Sequence, residues 1–334
     1  MSNIILFDDD LRSRFLPLAF IRPIGEFRIG ILTIREKWEI WLQGKASYIT
    51  QDYLSERYPI EIEEDNFIIN SRALPSAQLC SLVRQMETNE ALLWRGELIA
   101  ARLNRKQFDR LIGDEDFDDL KGFDIEGIAF LQMQQLTDLY RLNDEALRQD
   151  FEILTEGRIS EPVTVSNWVT GEGKIFVEEG ATIECATLNA TTGPIYIGKN
   201  AEIMEGATIR GPFALGEHAQ VKMGAKIYGA TTIGPNAVVA GEIKNSVIFG
   251  NSNKAHEGYL GDSVVGEWCN FGADSNNSNL KNSYSDVRQW SYAEGNFIDT
   301  GVMKCGLVMG DYSRCGINTM FNTGTVVGVS ANVF

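Results

Sequence analysis

The sequence predicts two domains of different fold classes, a short α/β domain of the Rossmann type followed by a parallel β-helix. The 334 residues are enough for two domains of roughly 150 residues each. Only seven of the 32 glycines lie in residues 1–150, so the remaining 184 residues contain 25. An aliphatic residue also recurs at every sixth position over long stretches of that glycine-rich half. We therefore place the α/β domain at residues 1–155 and the β-helix at residues 156–334.

The first element of the α/β domain is a strand at Asn3–Phe7, followed by the polar segment Asp8–Pro23. In that segment, the spacing of Arg14–Leu18 and Arg22–Pro23 resembles the RLxPLTxxxPKP motif of sugar nucleotidyltransferases. The glycines that cradle nucleotide phosphates in such enzymes are absent, and three carboxylates stand in their place. These would repel a triphosphate unless Mg²⁺ bridged them. The domain is similar to the N-terminal region of sugar nucleotidyltransferases of Bacteroidetes-type bacteria.

Three arginines of this region, Arg14, Arg22 and Arg28, are candidate contacts for nucleotide phosphate. The alternative is that they lie on a solvated face or pair with the carboxylates of Asp8–Asp10. Further along, Asn66–Pro75 predicts a buried strand that ends in a turn at the sheet edge, a usual place for a ligand.

The acidic run Asp114–Asp119 predicts a surface loop, with a metal site as the less favoured alternative. Apolar residues from Leu136 to Leu154 then follow the spacing of one helix face, and Gly157 is typical of a helix end. This helix should close the first domain.

The repeat of six begins at Ile197 and continues through eight successive positions. A period of six fits neither a helix nor a free strand, but it suits short strands with tight corners between them. Three such strands close one triangular coil of a β-helix, which we expect to be left-handed, with the aliphatic side chains inside. An antiparallel sandwich would require turns at irregular spacing. The predicted inward residues are Val177, Ile183, Ile197, Ile203, Ile209, Leu215, Val221, Ile227, Ile233, Val239, Met309, Cys315, Phe321, Val327 and Val333.

Two stretches break the period, at residues 242–270 and 274–300, and function is expected there. The second stretch is rich in Asn and Ser, and we expect it to be too polar to form coils. Of the two histidines, His218 lies at a repeat position that faces solvent, so we expect an exposed turn residue. His256 lies where the phase is lost. Its neighbourhood suits a phosphorylated sugar beside a general base, because it supplies a phenol, two amines and two amides. These groups belong to Tyr259, Lys244, Lys254, Asn251 and Asn270.

This region also resembles a known family. The matching segments are Glu242–Gly250, Lys254–Glu267, Asn270–Ala273, Ser278–Leu280, Ile298–Gly301, Lys304 and Gly310–Asn318. They are similar to the acetyltransferase domain of the bifunctional N-acetylglucosamine-1-phosphate uridylyltransferase/glucosamine-1-phosphate acetyltransferase group and its archaeal and bacterial relatives. The resemblance covers roughly residues 157–334.

The resemblance implies that His256 is the base that deprotonates the amino group of glucosamine 1-phosphate as it attacks acetyl-CoA. Imidazole suits this step because it titrates near neutral pH. Ala273 would stabilise the thioester oxyanion through its backbone N–H, and Asn279 would lie close to the acyl transfer. Lys244 and Tyr259 match positions that hold the sugar phosphate.

Asn270 matches a position that contacts the sugar, and Lys226 matches a second phosphate ligand, although its spacing from Lys244 differs from the bacterial pattern. The alternative for Lys244 and Asn270 is that they are solvated coil residues. In relatives the β-helix continues and its later coils help to hold CoA, whereas this sequence stops within the repeat at Ala331–Phe334. A truncated chain or an incomplete acyl-donor site is therefore expected.

Composition excludes several classes of protein. The net charge is −16, made up of −9 in residues 1–150 and −7 in residues 151–334, so the clustered cations of a nucleic-acid binder are absent. No run of 18 apolar residues and no cationic leader occurs, so we expect no membrane association and a cytoplasmic protein. The five cysteines show no CxxC spacing, which argues against disulfides or zinc. Solenoids bury exposed faces by association, and here a homotrimer is expected.

The leading hypothesis is a sugar-nucleotide enzyme in which the β-helix transfers acetyl from acetyl-CoA to an amino-sugar 1-phosphate. The fused domain would bind a nucleoside triphosphate, with Mg²⁺ where required. One alternative is a nucleotidyltransferase with a structural β-helix, and another is a non-catalytic scaffold. Because the protein is acidic, anionic ligands must be attracted by local cations or by Mg²⁺. These cations are Lys244, Lys254, Arg14 and Arg22.

Overall fold

The computed structural model describes residues 2–112 and 120–334, which form two compact units. The predicted acidic loop Asp114–Asp119 lies outside the described residues. Within the described ranges, no helix is long and apolar enough to cross a membrane. The first unit comprises Met1–Arg12, Ile21–Phe27 and Leu32–Gln134, and the second comprises Ser13–Phe20, Arg28–Ile31 and Gln135–Phe334.

The first unit contains a mixed six-stranded sheet with strand order β2-β1-β3-β5-β4-β6. Its strands are β1 (Ser2–Phe7), β2 (Gly44–Ile49), β3 (Asp65–Asn70), β4 (Glu90–Trp94), β5 (Glu97–Asn104) and β6 (Lys121–Asp124). Strand β1 pairs in parallel with both β2 and β3, and β5 runs antiparallel to β3 and β4. The centre of β1 is wholly buried at Ile4, Ile5 and Leu6, as expected of a strand covered on both faces.

Helices α1 (Ile34–Leu42), α2 (Ala77–Gln85) and α3 (Arg105–Ile112) belong to the same unit. Helix α1 begins at a capping box, in which the Thr33 side chain accepts from the Glu36 N–H and the Glu36 carboxylate accepts from the Thr33 N–H. Its buried Trp38 donates to the Ala73 carbonyl at 2.9 Å. Short 3-10 turns occur at Asp10–Phe15, Ile24–Glu26 and Asp52–Leu54.

The second unit contains a three-sided parallel β-helix, so both parts of the predicted fold class are confirmed. Its first face consists of Trp168–Thr170, Thr187–Asn189, Thr208–Arg210, Lys226–Tyr228, Glu242–Lys244 and Tyr259–Gly261, and a separate pair, Asn276–Asn277 with Met320–Phe321. The second consists of Ile175–Val177, Ile195–Ile197, Phe213–Leu215, Thr231–Ile233, Val247–Gly250, Val264–Glu267, Val308–Met309 and Val326–Val327. The third consists of Thr182–Ile183, Glu202–Ile203, Gln220–Val221, Val238–Val239, Asn253–Lys254, Asn270–Phe271, Arg314–Cys315 and Asn332–Val333.

The predicted inward residues form the core of this β-helix. Leu215, Val221, Ile233 and Val239 are completely buried, and the other predicted positions belong to the same apolar cluster, with Val333 partly buried against it. An antiparallel hairpin, Arg288–Ser291 with Asn296–Asp299, leaves the regular coils. A 3-10 turn lies at Glu172–Lys174.

Helices α4 (Asp138–Arg141) and α5 (Asn143–Thr155) pack with the β-helix in the second unit. Asn143 at the start of α5 donates through Nδ2 to the Ala230 carbonyl at 2.9 Å, and its Oδ1 accepts from the Gly30 N–H at 2.7 Å. The predicted domain boundary at residue 155 stays a prediction. The two units are defined by packing, and such units need not coincide with domains.

Candidate active site

The first face of the β-helix carries a row of polar side chains on its outer surface. Lys226 pairs with Glu242 and Glu242 with Tyr259, while Tyr228 pairs with Lys244 in the adjacent row. Neighbouring parallel strands are about 4.8 Å apart, so these five side chains lie side by side. They point outward because alternate residues of the same strands fill the core.

Within this row, the phenol of Tyr228 donates to Glu242 Oε1 at 2.5 Å. The hydrogen bond to Glu242, together with burial, raises the pKa of Tyr228 to about 12. The Lys244 ammonium lies 5.8 Å from the centre of the Tyr228 ring. Tyr228 therefore remains protonated near neutral pH and presents its ring to the cation.

Tyr259 is held by a neighbouring amide. Asn279 Nδ2 donates to Tyr259 Oη at 3.0 Å and to Asp262 Oδ2 at 2.5 Å, and Asn245 donates to the other oxygen of the buried Asp262 at 2.7 Å. Burial, followed by the negative charge of Asp262, raises the pKa of Tyr259. A Cβ at Gly261 would overlap the Tyr259 hydroxyl, so the phenol lies along its own strand over Gly261, where glycine leaves room for it.

His256 is exposed and lies at the corner where the chain turns from the third face to the first. This corner packs directly on the next one, because a Cβ at Gly258 would overlap the carbonyl oxygen of Ser275. At the same corner, Glu257 approaches the Lys226 ammonium to 3.8 Å. An ion pair this exposed is screened by solvent. The imidazole is therefore presented to solvent at the edge of the first face.

The structure places the other predicted residues around this corner in different ways. Asn270 points outward on the third face, where its strand pairs with Asn253 and Arg314, so it lies on a different face from Tyr259. Ala273 lies at the corner stacked next to that of His256, and its carbonyl accepts from the Asn318 N–H at 2.9 Å. His218, as predicted, is an exposed corner residue with φ of 56°.

Lys254 contradicts its predicted role as a surface cation for phosphate. Its side chain is only 2% exposed and lies inside the β-helix, because its strand pairs Lys254 with the inward residue Val239. The sequence contained the signal, since Lys254 stands six residues after the core residue Ile248 and six before Leu260. The inward phase therefore passes through Lys254 and is not lost at His256.

Two asparagines that sequence reasoning missed hold the site strand in place. Asn276 Oδ1 accepts from the Tyr259 N–H at 2.8 Å, and Asn277 Oδ1 accepts from the Gly261 N–H at 2.8 Å. The expectation that residues 274–300 are too polar to form coils is wrong here, because Asn276–Asn277 pairs in parallel with Met320–Phe321. Here side-chain amides accept the hydrogen bonds that backbone carbonyls of a neighbouring strand would otherwise accept. A pattern of apolar residues does not reveal such contacts.

A second polar cluster lies in the first unit, where parallel strands β1 and β3 end at the same edge. Arg72 is completely buried; its Nε lies 2.9 Å from Asp9 Oδ2, and a terminal nitrogen lies 2.8 Å from Glu97 Oε2. Asn70 also donates to Asp9 at 2.8 Å. These four residues line a cavity of about 320 Å³. Asn70 and Arg72 of the predicted segment Asn66–Pro75 thus line a cavity at the sheet edge, and ligand binding there stays a prediction.

Asp8, the preceding carboxylate, accepts from the Thr50 hydroxyl at 2.7 Å and the Ile24 N–H at 3.0 Å, and lies 3.3 Å from Arg12. Burial raises the pKa of Asp8 against these opposing contacts. Because the carboxylates of Asp8 and Asp9 are already matched by arginines, this donor set does not fit Mg²⁺. Among residues 2–112 and 120–334, no group of three or more histidine, cysteine or acidic side chains is placed to hold a metal.

The three predicted arginines have different surroundings within their own units. Arg14 is exposed and belongs to the second unit, whereas Arg22 is buried in the first. Arg28 donates to the carbonyls of Phe249 at 3.0 Å and Ile31 at 2.5 Å within the second unit, so part of its guanidinium is engaged by backbone and its role in phosphate binding stays a prediction. The carboxylates of Asp8 and Asp9 pair with Arg12 and Arg72, which are not in the predicted set.

Comparison with known proteins gives one family match and several curated relatives. Residues 4–159 match the family model for sugar nucleotidyl transferases. The bifunctional protein GlmU of Methanocaldococcus jannaschii is 36% identical over 87 residues, which are 26% of this chain and 21% of that protein. A bifunctional sugar-1-phosphate nucleotidylyltransferase/acetyltransferase of Sulfurisphaera tokodaii is 36% identical over 93 residues, 28% and 23% of the two chains.

The chain thus matches only about a fifth of the length of these curated relatives. The matches agree with the sequence motifs and with the fold, in which an α/β sheet precedes a parallel β-helix. The predicted resemblance is therefore confirmed: this chain is similar to bifunctional sugar-1-phosphate nucleotidyltransferase/acetyltransferases.

Proposed function

We propose that this protein is a transferase of sugar-nucleotide biosynthesis whose β-helix acetylates an amino-sugar 1-phosphate. The observation that carries the proposal is the cluster beside His256. There the ammonium of Lys244 and the phenol of Tyr259, which Asn279 holds in place, lie on the first face. Lys244 attracts the phosphate, and Tyr259 is oriented to bind it. The resemblance to bifunctional relatives supports the choice of acetyl-CoA as the acyl donor.

In this proposal His256 accepts a proton from the sugar amine as the nitrogen attacks the thioester carbonyl. The C–N bond forms, the C–S bond breaks and CoA leaves as the thiolate, which then takes up a proton. An exposed imidazole suits the task because its neutral form accepts a proton, which it can then pass to solvent. The N–H of Ala273, at the adjacent corner, would stabilise the oxyanion.

The geometry also suggests how the sugar phosphate is held. Tyr259 Oη accepts from Asn279, so its own proton can be donated to a phosphate oxygen. Asn279 would therefore orient Tyr259 as well as lie close to the acyl transfer. Lys226 contributes less than Lys244, since Glu257 already neutralises part of its charge. Asn270 would contact the sugar from the third face.

A homotrimer is proposed because exposed apolar side chains lie along the β-helix. Met223, Ile317 and Met320 are 65%, 72% and 83% exposed. Association would remove such surface from water, as is common in solenoids. A cytoplasmic location likewise stays a prediction. Sedimentation of the purified protein at several concentrations tests the trimer directly.

The acetyl-transfer proposal is tested by incubating the purified protein with acetyl-CoA and glucosamine 1-phosphate and measuring free thiol. We expect His256→Ala to lower kcat by about 100-fold or more, the usual contribution of a general base. His218→Ala is the matched control, because it is the only other histidine in the chain and lies at an exposed corner. The proposal fails if no hexosamine 1-phosphate yields thiol, or if both variants behave alike.

A second candidate function is nucleotidyl transfer to a sugar 1-phosphate by the first unit. The specific observations are the match over residues 4–159 and the cavity beside buried Arg72. Pyrophosphate release that requires a sugar 1-phosphate and a particular nucleoside triphosphate, with and without Mg²⁺, tests it. Release unchanged in a folded Arg72→Met variant would exclude this cavity as the site, and absence of both activities would favour the scaffold alternative.

A further inference from the structure

Lys254 is a charged residue in a column of apolar ones. Successive coils of the third face place Ile203, Val221, Val239 and then Lys254 at the same inward position, and Phe271 follows. The lysine side chain is 2% exposed. Burying an ammonium is unfavourable unless hydrogen bonds replace its water. The position therefore demands a specific set of acceptors.

Those acceptors are three backbone carbonyls. Lys254 Nζ donates to Ala240 O at 3.2 Å, His256 O at 2.6 Å and Glu257 O at 3.3 Å. A lysine ammonium has three N–H donors, so its hydrogen-bonding capacity is used entirely within the β-helix. Burial lowers the pKa of Lys254 to about 8, opposed by the charges of Glu257 and Asp274. No donor remains for a ligand on the outer surface.

Two of the acceptors, His256 O and Glu257 O, are consecutive in the chain. Consecutive carbonyls of an extended chain point in opposite directions. One ammonium group can therefore reach both only where the backbone bends sharply. The corner also lies close to its neighbours, because a Cβ at Gly241 would meet the His256 carbonyl oxygen at 3.0 Å. Both carbonyls accept from the ammonium inside the β-helix, while the side chain of His256 is exposed.

We propose that Lys254 is a positioning residue for His256: its ammonium, inside the β-helix, fixes the bend that presents the imidazole beside Lys244 and Tyr259. The proposal rests on the proposed acetyl transfer for its consequence in catalysis. It assigns to Lys254 no contact with sugar, phosphate or acetyl-CoA. The residue acts from inside the solenoid on a group outside it.

The test uses the full-length protein with Lys254→Met, which has a similar length but no donor, and Val221→Ala, which weakens the same column two coils away. We expect Lys254→Met to lower kcat at least tenfold with less than a threefold change in KM for the sugar phosphate. Val221→Ala should keep kcat although its melting temperature falls. Lys254→Gln, which retains an amide donor, should lie between wild type and Lys254→Met, and it replaces Lys254→Met if that variant does not fold.

A second readout does not depend on activity. The chain has only two histidines, so their imidazole Cε1–H resonances can be followed separately by NMR. We expect Lys254→Met to shift or broaden the His256 resonance and to leave that of His218 unchanged. The inference is overturned if the His256 resonance and kcat are retained in a folded Lys254→Met, or if Val221→Ala disturbs both as strongly. Absence of thiol release from wild type would refute the proposed reaction, whereas the spectra would still decide the role of Lys254.

Discussion

The β-helix and the α/β sheet differ in how a site is marked in the sequence. In the β-helix every coil repeats one environment, so a departure from the pattern, such as Lys254 at an inward position, identifies a special residue. In the sheet the site is assembled at strand ends. Asp9 follows β1, Arg72 follows β3 and Glu97 begins β5. No period relates them, and only the topology brings them together.

The two regions also differ in the groups that surround a buried cation. Arg72 is matched by two carboxylates, whereas Lys254 is matched only by neutral carbonyls. A carboxylate keeps a buried cation charged more effectively than a carbonyl does. Contacts with Asp9 and Glu97 accordingly raise the pKa of Arg72 despite burial, while burial lowers the pKa of Lys254. The difference predicts how each region responds to mutation and to pH.

The largest effect on stability is expected for Arg72→Met. This variant leaves the carboxylates of Asp9 and Glu97 without their buried partner, which costs about 3–5 kcal/mol of unfolding free energy in comparable cases. The control is Arg102→Met, which removes the more exposed pair with Asp65 and should cost about 1 kcal/mol or less. Urea unfolding followed by circular dichroism measures both, and equal losses would contradict the assigned burial.

A pH experiment tests the buried charge of the β-helix, Lys254. The pKa of Lys254 is about 8 in the fold, below its ordinary value of 10.5, so the unfolded chain binds more protons between these values. Stability should therefore rise with pH from about 8 to about 10.5, by a few kcal/mol at most. Wild type minus Lys254→Met isolates this contribution from other groups, and a difference that is flat across the window would contradict it.

Gly261→Ala tests the packing of the site strand without changing charge. The added methyl group would displace the Tyr259 hydroxyl, and we expect KM for the sugar phosphate to rise about tenfold, equivalent to about one or two hydrogen bonds. Gly173→Ala is the control, because a Cβ there meets nothing within 4 Å. Similar kinetics for the two variants would remove Tyr259 from the proposed phosphate site.

The smallest effect is expected at Lys226, and it is compared with the effect at Lys244, the other surface lysine of the first face. Lys226 is paired with Glu257 at an exposed position, so Lys226→Gln should change KM less than threefold. Lys244→Gln should raise KM at least tenfold, with a steeper loss at low salt, because its charge acts on the bound phosphate. The reverse ranking would show that the phosphate lies nearer to the His256 corner than proposed.

Periodicity was sufficient to predict the inward column of the β-helix. Ile209, Leu215 and Val221 could be placed because each residue's neighbours are the residues one coil earlier and later, at a constant separation in sequence. The same rule fails after Val239, because Val239 pairs with Lys254, 15 residues on, whereas Val221 pairs with Val239, 18 residues on. Only the spacing of six from Ile248 through Lys254 to Leu260 marks Lys254 as inward. The residue types around His256 indicated Lys244 and Tyr259, and the resemblance to known relatives, rather than the period, indicated Asn279.

The sequence by itself therefore determined the solenoid, its core column and the segment that carries His256, since local repetition specifies local contacts. Only the tertiary structure decided that Arg72 joins Asp9 at the sheet edge, that Arg28 donates to backbone carbonyls, and that Asn277 supports the strand of Tyr259. These contacts join residues at irregular separations, and a hydrogen-bond partner follows from distance and direction in space. Residue type alone shows that a buried cation needs an acceptor, but the fold decides which acceptor it finds.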